Sequence, residues 1–346
     1  MRFAGFCAAG AAAWFVAALP AARAAEPAEH LARAAQAGRT ATYQGVLVYR
    51  GGDEDFEVLR VQHRFANGSE REHIASLTGE VRQLLRIDNH LICILPKDHT
   101  LSMDGPPALK GVLSELNAER LHDLAQWYEF RDLGQTRVAG RACNGVGVVP
   151  RDQFRYGYAV CADAETGVPL KVTLVGQHGE MLEQVMFTEI TYPDSIPDSA
   201  FLADIDTSKF QTVTGDLPAK GAAVDPAQSQ LQFAELPPGY RIVAREERPL
   251  PAGQQGKVEH LLLSDGLSAV SVFSTIEQSL PEKPFRGVSH QGALEAYGRT
   301  MGSYHITIVG EVPPQAVRMI GDGVHPVFPA EGAPPHASPD PAPAPQ

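Results

Sequence analysis

Residues 137–190 read RVAGRACNGVGVVPRDQFRYGYAVCADAETGVPLKVTLVGQHGEMLEQVMFTEI, and this stretch decides the fold. It holds four runs rich in β-branched and aromatic residues: Arg137 to Val149, Arg155 to Cys161, Val168 to Val175 and Met181 to Ile190. Short segments with Pro, Asp and Gly separate them, and none is long enough for a crossover helix. Strands joined this tightly must run antiparallel, because a parallel neighbour needs a connection of a dozen residues or more. The stretch therefore predicts successive hairpins of one large antiparallel sheet.

Working upstream, the same pattern continues. Tyr43 to Arg50 (YQGVLVYR) ends at Gly51-Gly52. In the next run Glu57, Leu59, Val61, His63 and Phe65 share one face, as the two-residue strand period requires. Asn67-Gly68 supplies a hairpin turn. Val81 to Ile87 and His90 to Leu95 form a further pair around Asp88-Asn89. Leu113, Leu116, Leu121, Leu124, Trp127 and Tyr128 recur at helical spacing, and a short helix is expected at Glu29 to Ala37. The larger domain is thus a curved antiparallel sheet with few helices.

Downstream, residues 211–229 contain few large apolar side chains and two prolines, the composition of a linker. A smaller α+β domain follows over residues 230–325. Its strands are expected at Val258 to Leu263, Ala269 to Ser274 and His305 to Val309, with the turn Ser264-Asp265-Gly266 between the first two. A helix is expected near Gln291 to Met301, and Pro313-Pro314 is placed to start another that buries Ala316, Val317 and Ile320. The fold class is α+β.

The ends differ from the body. Residues 1–24 combine Arg2, an apolar run from Phe3 to Leu19 and the site Ala22-Arg23-Ala24, the signature of a secretory signal peptide cut before Ala25. The larger domain then occupies residues 25–210. Residues 326–346 hold eight prolines among small residues and predict a disordered tail.

The 346 residues carry 29 basic and 41 acidic side chains, a formal charge of -12. Such acidity excludes a surface that coats nucleic acid. No catalytic constellation stands out. Gly287-Val-Ser-His-Gln-Gly292 lacks the spacing of a nucleophile elbow and reads as a loop entering a helix. Arg71-Glu-His-Ile lacks the second His of a zinc-protease helix, and His90 with Cys93 is too small a set for a metal. The residues favour a binding protein over an enzyme, with no cofactor.

Two features run against the background. Arg131, Arg137, Arg141, Arg151 and Arg155 face only Asp132 and Asp152 in that stretch, a basic island suited to an anionic group. Cys93, Cys143 and Cys161 remain once the leader is removed. A hairpin with Val149 opposite Arg155 would make Cys143 and Cys161 cross-strand neighbours, and a bond between them is the first choice. Cys93 with Cys143 is the alternative.

Several stretches in one order resemble the RseB/MucB family, periplasmic regulators of the sigma-E envelope-stress pathway. They are YQGVLVYRGG (43–52), VLRVQHRF (58–65), residues 137–160 and 165–190 quoted above, LPPGY (236–240), VEHLLLSDGLSAVSVF (258–273), GALEAYG (292–298) and ITIVGEVPPQAV (306–317). The resemblance implies that the larger domain is an incomplete, lipoprotein-carrier-like β-barrel cupping helices. It implies that both domains engage the periplasmic part of a membrane-spanning anti-sigma factor and hide it from regulated proteolysis. It further implies release by lipopolysaccharide or another lipid. On this reading Arg137, Arg151, Arg155 and Tyr156 are candidate lipid contacts on the barrel rim. Ser264, Asp265, Gly266, Glu311, Pro313 and Pro314 are candidate partner contacts. A homo-oligomer is possible, and a periplasmic lipid or lipoprotein carrier is the alternative function. Cys161 departs from the bulky apolar or aromatic residue expected on that strand.

Overall fold

The computed structural model describes residues 22–52, 56–88, 90–96, 100–103, 116–206, 210–214, 229, 231–249, 257–276 and 284–326. Residues 1–21 of the expected leader, 327–346 of the expected tail and most of the linker lie outside these ranges, while Ala22 to Ala24 of the leader fall in a helix.

The described residues open with helix α1 (Ala22–Thr40), longer at both ends than its periodicity predicts. Six strands follow: β1 (Tyr43–Gly51), β2 (Glu57–Ala66), β3 (Ser69–Ser76), β4 (Gln83–Ile87), β5 (His90–Leu95) and β6 (Thr100–Met103). Asn67 and Gly68 adopt φ of 53° and 78°, which completes the expected β2–β3 turn. Helix α2 (Ala118–Leu124) starts where the Asn117 side chain accepts a hydrogen bond from the Arg120 N–H at 2.8 Å. The helical spacing fails beyond Leu124. Tyr128 lies instead on the next strand, and Leu113 is outside the described residues.

Five hairpin-linked strands come next: β7 (Tyr128–Val138), β8 (Arg141–Pro150), β9 (Gly157–Asp163), β10 (Pro169–Val175) and β11 (Met181–Thr191). The single run expected over Arg137 to Val149 is thus split. Ala139 and Gly140, with φ of 48° and 78°, make the turn between β7 and β8. After a 3-10 turn at Asp198–Phe201, β12 (Gln211–Thr214) pairs in parallel with β6. Those four residues belong to the sheet, so the linker begins later than composition suggests.

The twelve strands form one sheet in the order β12-β6-β5-β4-β3-β2-β1-β11-β10-β9-β8-β7. Its ends, β12 and β7, are not hydrogen-bonded to each other, so the barrel is incomplete. Helix α1 packs against β2 and β7 to β10, inside the curve. Its buried face is Leu31, Ala34, Ala35 and Ala37. Small side chains here let the helix approach the sheet closely.

The smaller domain has its own six-stranded sheet, in the order β14 (Arg241–Pro249), β15 (Lys257–Ser264), β16 (Ala269–Ile276), β19 (Tyr304–Gly310), β18 (Leu294–Met301) and β17 (Gly287–Gln291). A short pair, β13 (Leu231–Phe233) with β20 (Val324–Pro326), stands beside it. Helix α3 (Pro314–Gly323) packs on β18 and β19, burying Ala316, Val317 and Ile320 as its pattern predicts. The helix expected at Gln291 to Met301 is a β-hairpin instead. Gly292, at φ 59°, turns the chain between β17 and β18. Ser289 is therefore an exposed strand residue and caps no helix.

Candidate functional site

Among the described residues, two interiors bear on function. The first is an apolar cavity between α1 and the inner face of the large sheet, with about 650 Å³ of empty space including its open mouth. Ala34, Ala35, Gly38 and Arg39 of α1 form one wall; Tyr43, Leu47, Val61, Ile74, Val185 and Phe187 line the facing sheet. Glu72, on β3, is the other charged lining residue besides Arg39. The two-residue strand period explains the set, since the inward positions of β1 are Tyr43, Leu47 and Tyr49 while Val61 and His63 face them from β2. Walls of this kind suit a hydrocarbon chain, and the lining carries charge only at α1 and β3.

The second is the seam between the domains, built around Arg155. Its side chain is fully buried, in the loop between β8 and β9. Nη1 donates to Asp265 Oδ2 at 2.8 Å, Nε donates to Asp152 Oδ1 at 3.0 Å, and Nη2 donates to the Pro238 carbonyl. The guanidinium carbon stands 5.5, 5.5 and 5.3 Å from the ring centres of Trp127, Tyr128 and Tyr240. Asp265 is equally enclosed. Oδ2 also accepts from the Tyr128 hydroxyl at 2.9 Å, and Oδ1 accepts from the Leu267 and Ser268 N–H groups at 2.8 Å each. Burial and the neighbouring Asp265 carboxylate push the Tyr128 hydroxyl well above the ordinary phenol range.

The basic island is therefore not a free cationic rim. Arg155 offers nothing to a phosphate in solvent, because it is fully buried and its donors are directed at Asp152, Asp265 and the Pro238 carbonyl. Arg141 is bound by Asp163 and Glu165, and Arg131 by Glu129 at 2.8 Å. Arg151 is exposed, but its Nε donates to the Ala125 carbonyl at 3.2 Å. Arg137 is exposed near the end of β7. Tyr156 is buried at the seam, its hydroxyl pushed up to about 12 by burial and then by Glu295 and Glu180. Of the four expected lipid contacts, then, two are interior residues of the seam and two lie on the surface.

The expected partner contacts divide in the same way. Ser264, Asp265 and Gly266 form the β15–β16 turn, which points into the larger domain. Ser264 Oγ accepts from the Gly266 N–H at 2.9 Å and donates to the Ser268 carbonyl at 2.8 Å. Asp265 is thus committed within the chain. Pro313 and Pro314 open α3, where a missing N–H costs nothing. Glu311 lies in the β19–α3 connection, its carboxyl raised by desolvation.

Cys143 and Cys161 are joined by a disulfide, with Cα atoms 5.5 Å apart, and Cys93 is free. The register differs from the expected one by two residues: Cys143 is opposite Asp163, and Cys161 is opposite Gly145. The bond is diagonal across β8 and β9. Neither the Arg155–Asp265 pair nor the cavity was legible from sequence spacing, because each joins residues far apart in the chain.

A sequence profile of the MucB/RseB N-terminal domain matches residues 26–211, and one of the MucB/RseB C-terminal domain matches residues 225–325. The chain belongs to the MucB/RseB family. Among its relatives, the sigma factor AlgU regulatory protein MucB of Pseudomonas aeruginosa is 31% identical over 311 residues, covering 86% of this chain and 90% of that one. The sigma-E factor regulatory protein RseB of Escherichia coli K12 is 27% identical over 270 residues, covering 78% and 81%. A solved complex of Pseudomonas aeruginosa MucA and MucB superposes with a TM-score of 0.68 at 26% identity, over 88% of this chain and all of that one. The relatives carry names of regulators, not of enzymes. Among the described residues no helix is long and apolar enough to cross a membrane.

Proposed function

We propose that this MucB/RseB chain is a periplasmic regulator that binds the periplasmic part of a membrane-spanning anti-sigma factor. Bound there, it shields the anti-sigma factor from regulated proteolysis and keeps the sigma factor sequestered. Lipopolysaccharide or another lipid releases it. The observation that carries this reading is the match, over nearly the whole described chain, to a MucB solved together with MucA.

The cavity under α1 supports the lipid arm of the proposal. Its apolar walls suit an acyl chain better than the Arg155 region does, since that guanidinium is enclosed. The same cavity favours the second reading, a lipid or lipoprotein carrier. A carrier, however, has no need of a second domain seated on the end of its barrel.

Titration of the purified protein with the periplasmic segment of its cognate anti-sigma factor, with and without lipopolysaccharide, tests the proposal. Binding that lipopolysaccharide reverses is expected. Absence of binding in both conditions, with stoichiometric lipid uptake, would favour the carrier.

A further inference from the structure

The two interiors described above share a wall. Leu267, in the β15–β16 turn, and Ala293, in the β17–β18 turn, are hairpin tips of the smaller domain. Both are buried in one apolar cluster with Leu31 and Ala35 of α1, Leu121 and Leu124 of α2, Tyr156 of the β8–β9 loop and Tyr158 of β9. The smaller domain thus plugs the end of the cup with two tips. Beside them, Gly292 approaches Gly52 so closely that a Cβ on Gly52 would lie 3.1 Å from the Gly292 Cα. On its cavity side, α1 presents Ala34, Ala35 and Gly38. Ala35 belongs to both interiors. One helix therefore separates the space open to a ligand from the seam that holds the domains.

The seam is built in a way that favours two discrete arrangements over a continuum. Closed, Arg155 and Asp265 neutralise each other with neither side chain exposed. A small separation would strand two buried charges without their partner, which is costlier than either full closure or full exposure to water. Packed interfaces of this kind switch and do not deform gradually.

We infer that the seam is a latch worked through α1. A lipid acyl chain filling the cavity displaces α1 against the Leu267 and Ala293 tips, opens the Arg155–Asp265 pair and changes how the two domains sit together. This rests on the release by lipid proposed above and gives it a moving part. Because a ligand shifts an equilibrium only by its differential affinity for the two states, the latch also sets how much lipid is needed.

The experiment compares lipopolysaccharide-driven release of the anti-sigma periplasmic segment from three proteins. Gly52→Cys with Gly292→Cys, oxidised, pins the tips to the cup; the same protein reduced, read beside the parent under the same reductant because Cys143–Cys161 opens too, controls for the substitutions. Tyr128→Phe weakens the latch by one hydrogen bond to a charged group, worth roughly tenfold in the open–closed equilibrium. The latch predicts release from parent and reduced double variant, at least tenfold less release from the oxidised one, and half-release of Tyr128→Phe at a several-fold lower lipopolysaccharide concentration. Equal release from the oxidised and reduced forms, or an unchanged half-release point in Tyr128→Phe, overturns the latch while the proposed function stands. Binding of the segment without release from any protein removes the lipid arm of that function and the latch with it.

Discussion

Replacing Asp265 by Asn perturbs the seam with almost no change of shape. Oδ1 keeps its two bonds from the Leu267 and Ser268 N–H groups, so the β15–β16 turn is preserved. The other terminal atom becomes an NH2 group facing Arg155 Nη1, which stands 2.8 Å from Oδ2 in the parent. A donor now confronts a charged donor, and the buried guanidinium has lost a counter-charge. Removing one partner of a buried pair costs about 3–5 kcal/mol. Asp152 still holds Nε at 3.0 Å, which places the expectation at the lower end, about 3 kcal/mol. At roughly 2–4 °C per kcal/mol for domains of this size, the melting transition should fall by about 6–12 °C. Scanning calorimetry reads it directly. Arg155→Met added to Asp265→Asn removes the stranded charge, so the double variant should be more stable than the sum of the single effects by about 2 kcal/mol. A single variant within about 0.5 kcal/mol of the parent, or strict additivity, would refute the assignment of the pair as the fastening of the seam.

Three further outcomes follow from the same structure. Cys143→Ala with Cys161→Ala opens a loop closed at a separation of 18 residues, and chain entropy puts the loss near 3 kcal/mol in urea unfolding; a loss below 1 kcal/mol would contradict it. Glu295 is buried with no hydrogen-bond partner at Oε2 among the described residues, and burial raises its carboxyl, against the pull of His290 and Arg318. A raised carboxyl favours the protonated form in the fold, so stability should fall as pH rises from the ordinary carboxylate range through the raised value. Glu295→Gln should flatten that slope, and an identical pH profile of unfolding in the two proteins would sink the point. Ala34→Leu places a larger side chain in the cavity wall and should weaken lipopolysaccharide binding at least tenfold in a displacement assay, with binding of the anti-sigma segment unchanged. Equal lipopolysaccharide affinity would place the lipid elsewhere.

Much of this fold is legible from residue order. The hairpins of residues 155–190 announce themselves through β-branched runs and turn residues, and α3 through two prolines followed by one apolar face. Three of the features that are not legible have a clear physical reason. The β7–β8 turn uses Ala139 in the left-handed region, a residue that carries no turn signal, so two strands read as one. The β17–β18 hairpin contains Ala-Leu-Glu-Ala, whose intrinsic preference is helical; pairing with β19 overrides it. The two-residue error in the β8–β9 register arose because the connection, residues 151–156, is an ordered loop around Asp152 and not a tight turn.

The site was harder. Arg155 belongs to a basic cluster when only its neighbours in sequence are counted. Its burial follows from Asp265, which lies 110 residues away in another domain. Composition identified the charge correctly and its surroundings wrongly. The cavity has a similar origin, since Gly38 and Val185 share it only because the sheet curves around α1.

The claim that the protein guards an anti-sigma factor is tested most directly by the lifetime of that factor. The periplasmic segment of the cognate anti-sigma factor is incubated with its regulatory protease, alone, with the purified protein, and with the protein plus lipopolysaccharide. The account predicts cleavage at least tenfold slower with the protein present, and restored when lipopolysaccharide is added. Cleavage at the same rate with and without the protein, under conditions where the two bind, would contradict it.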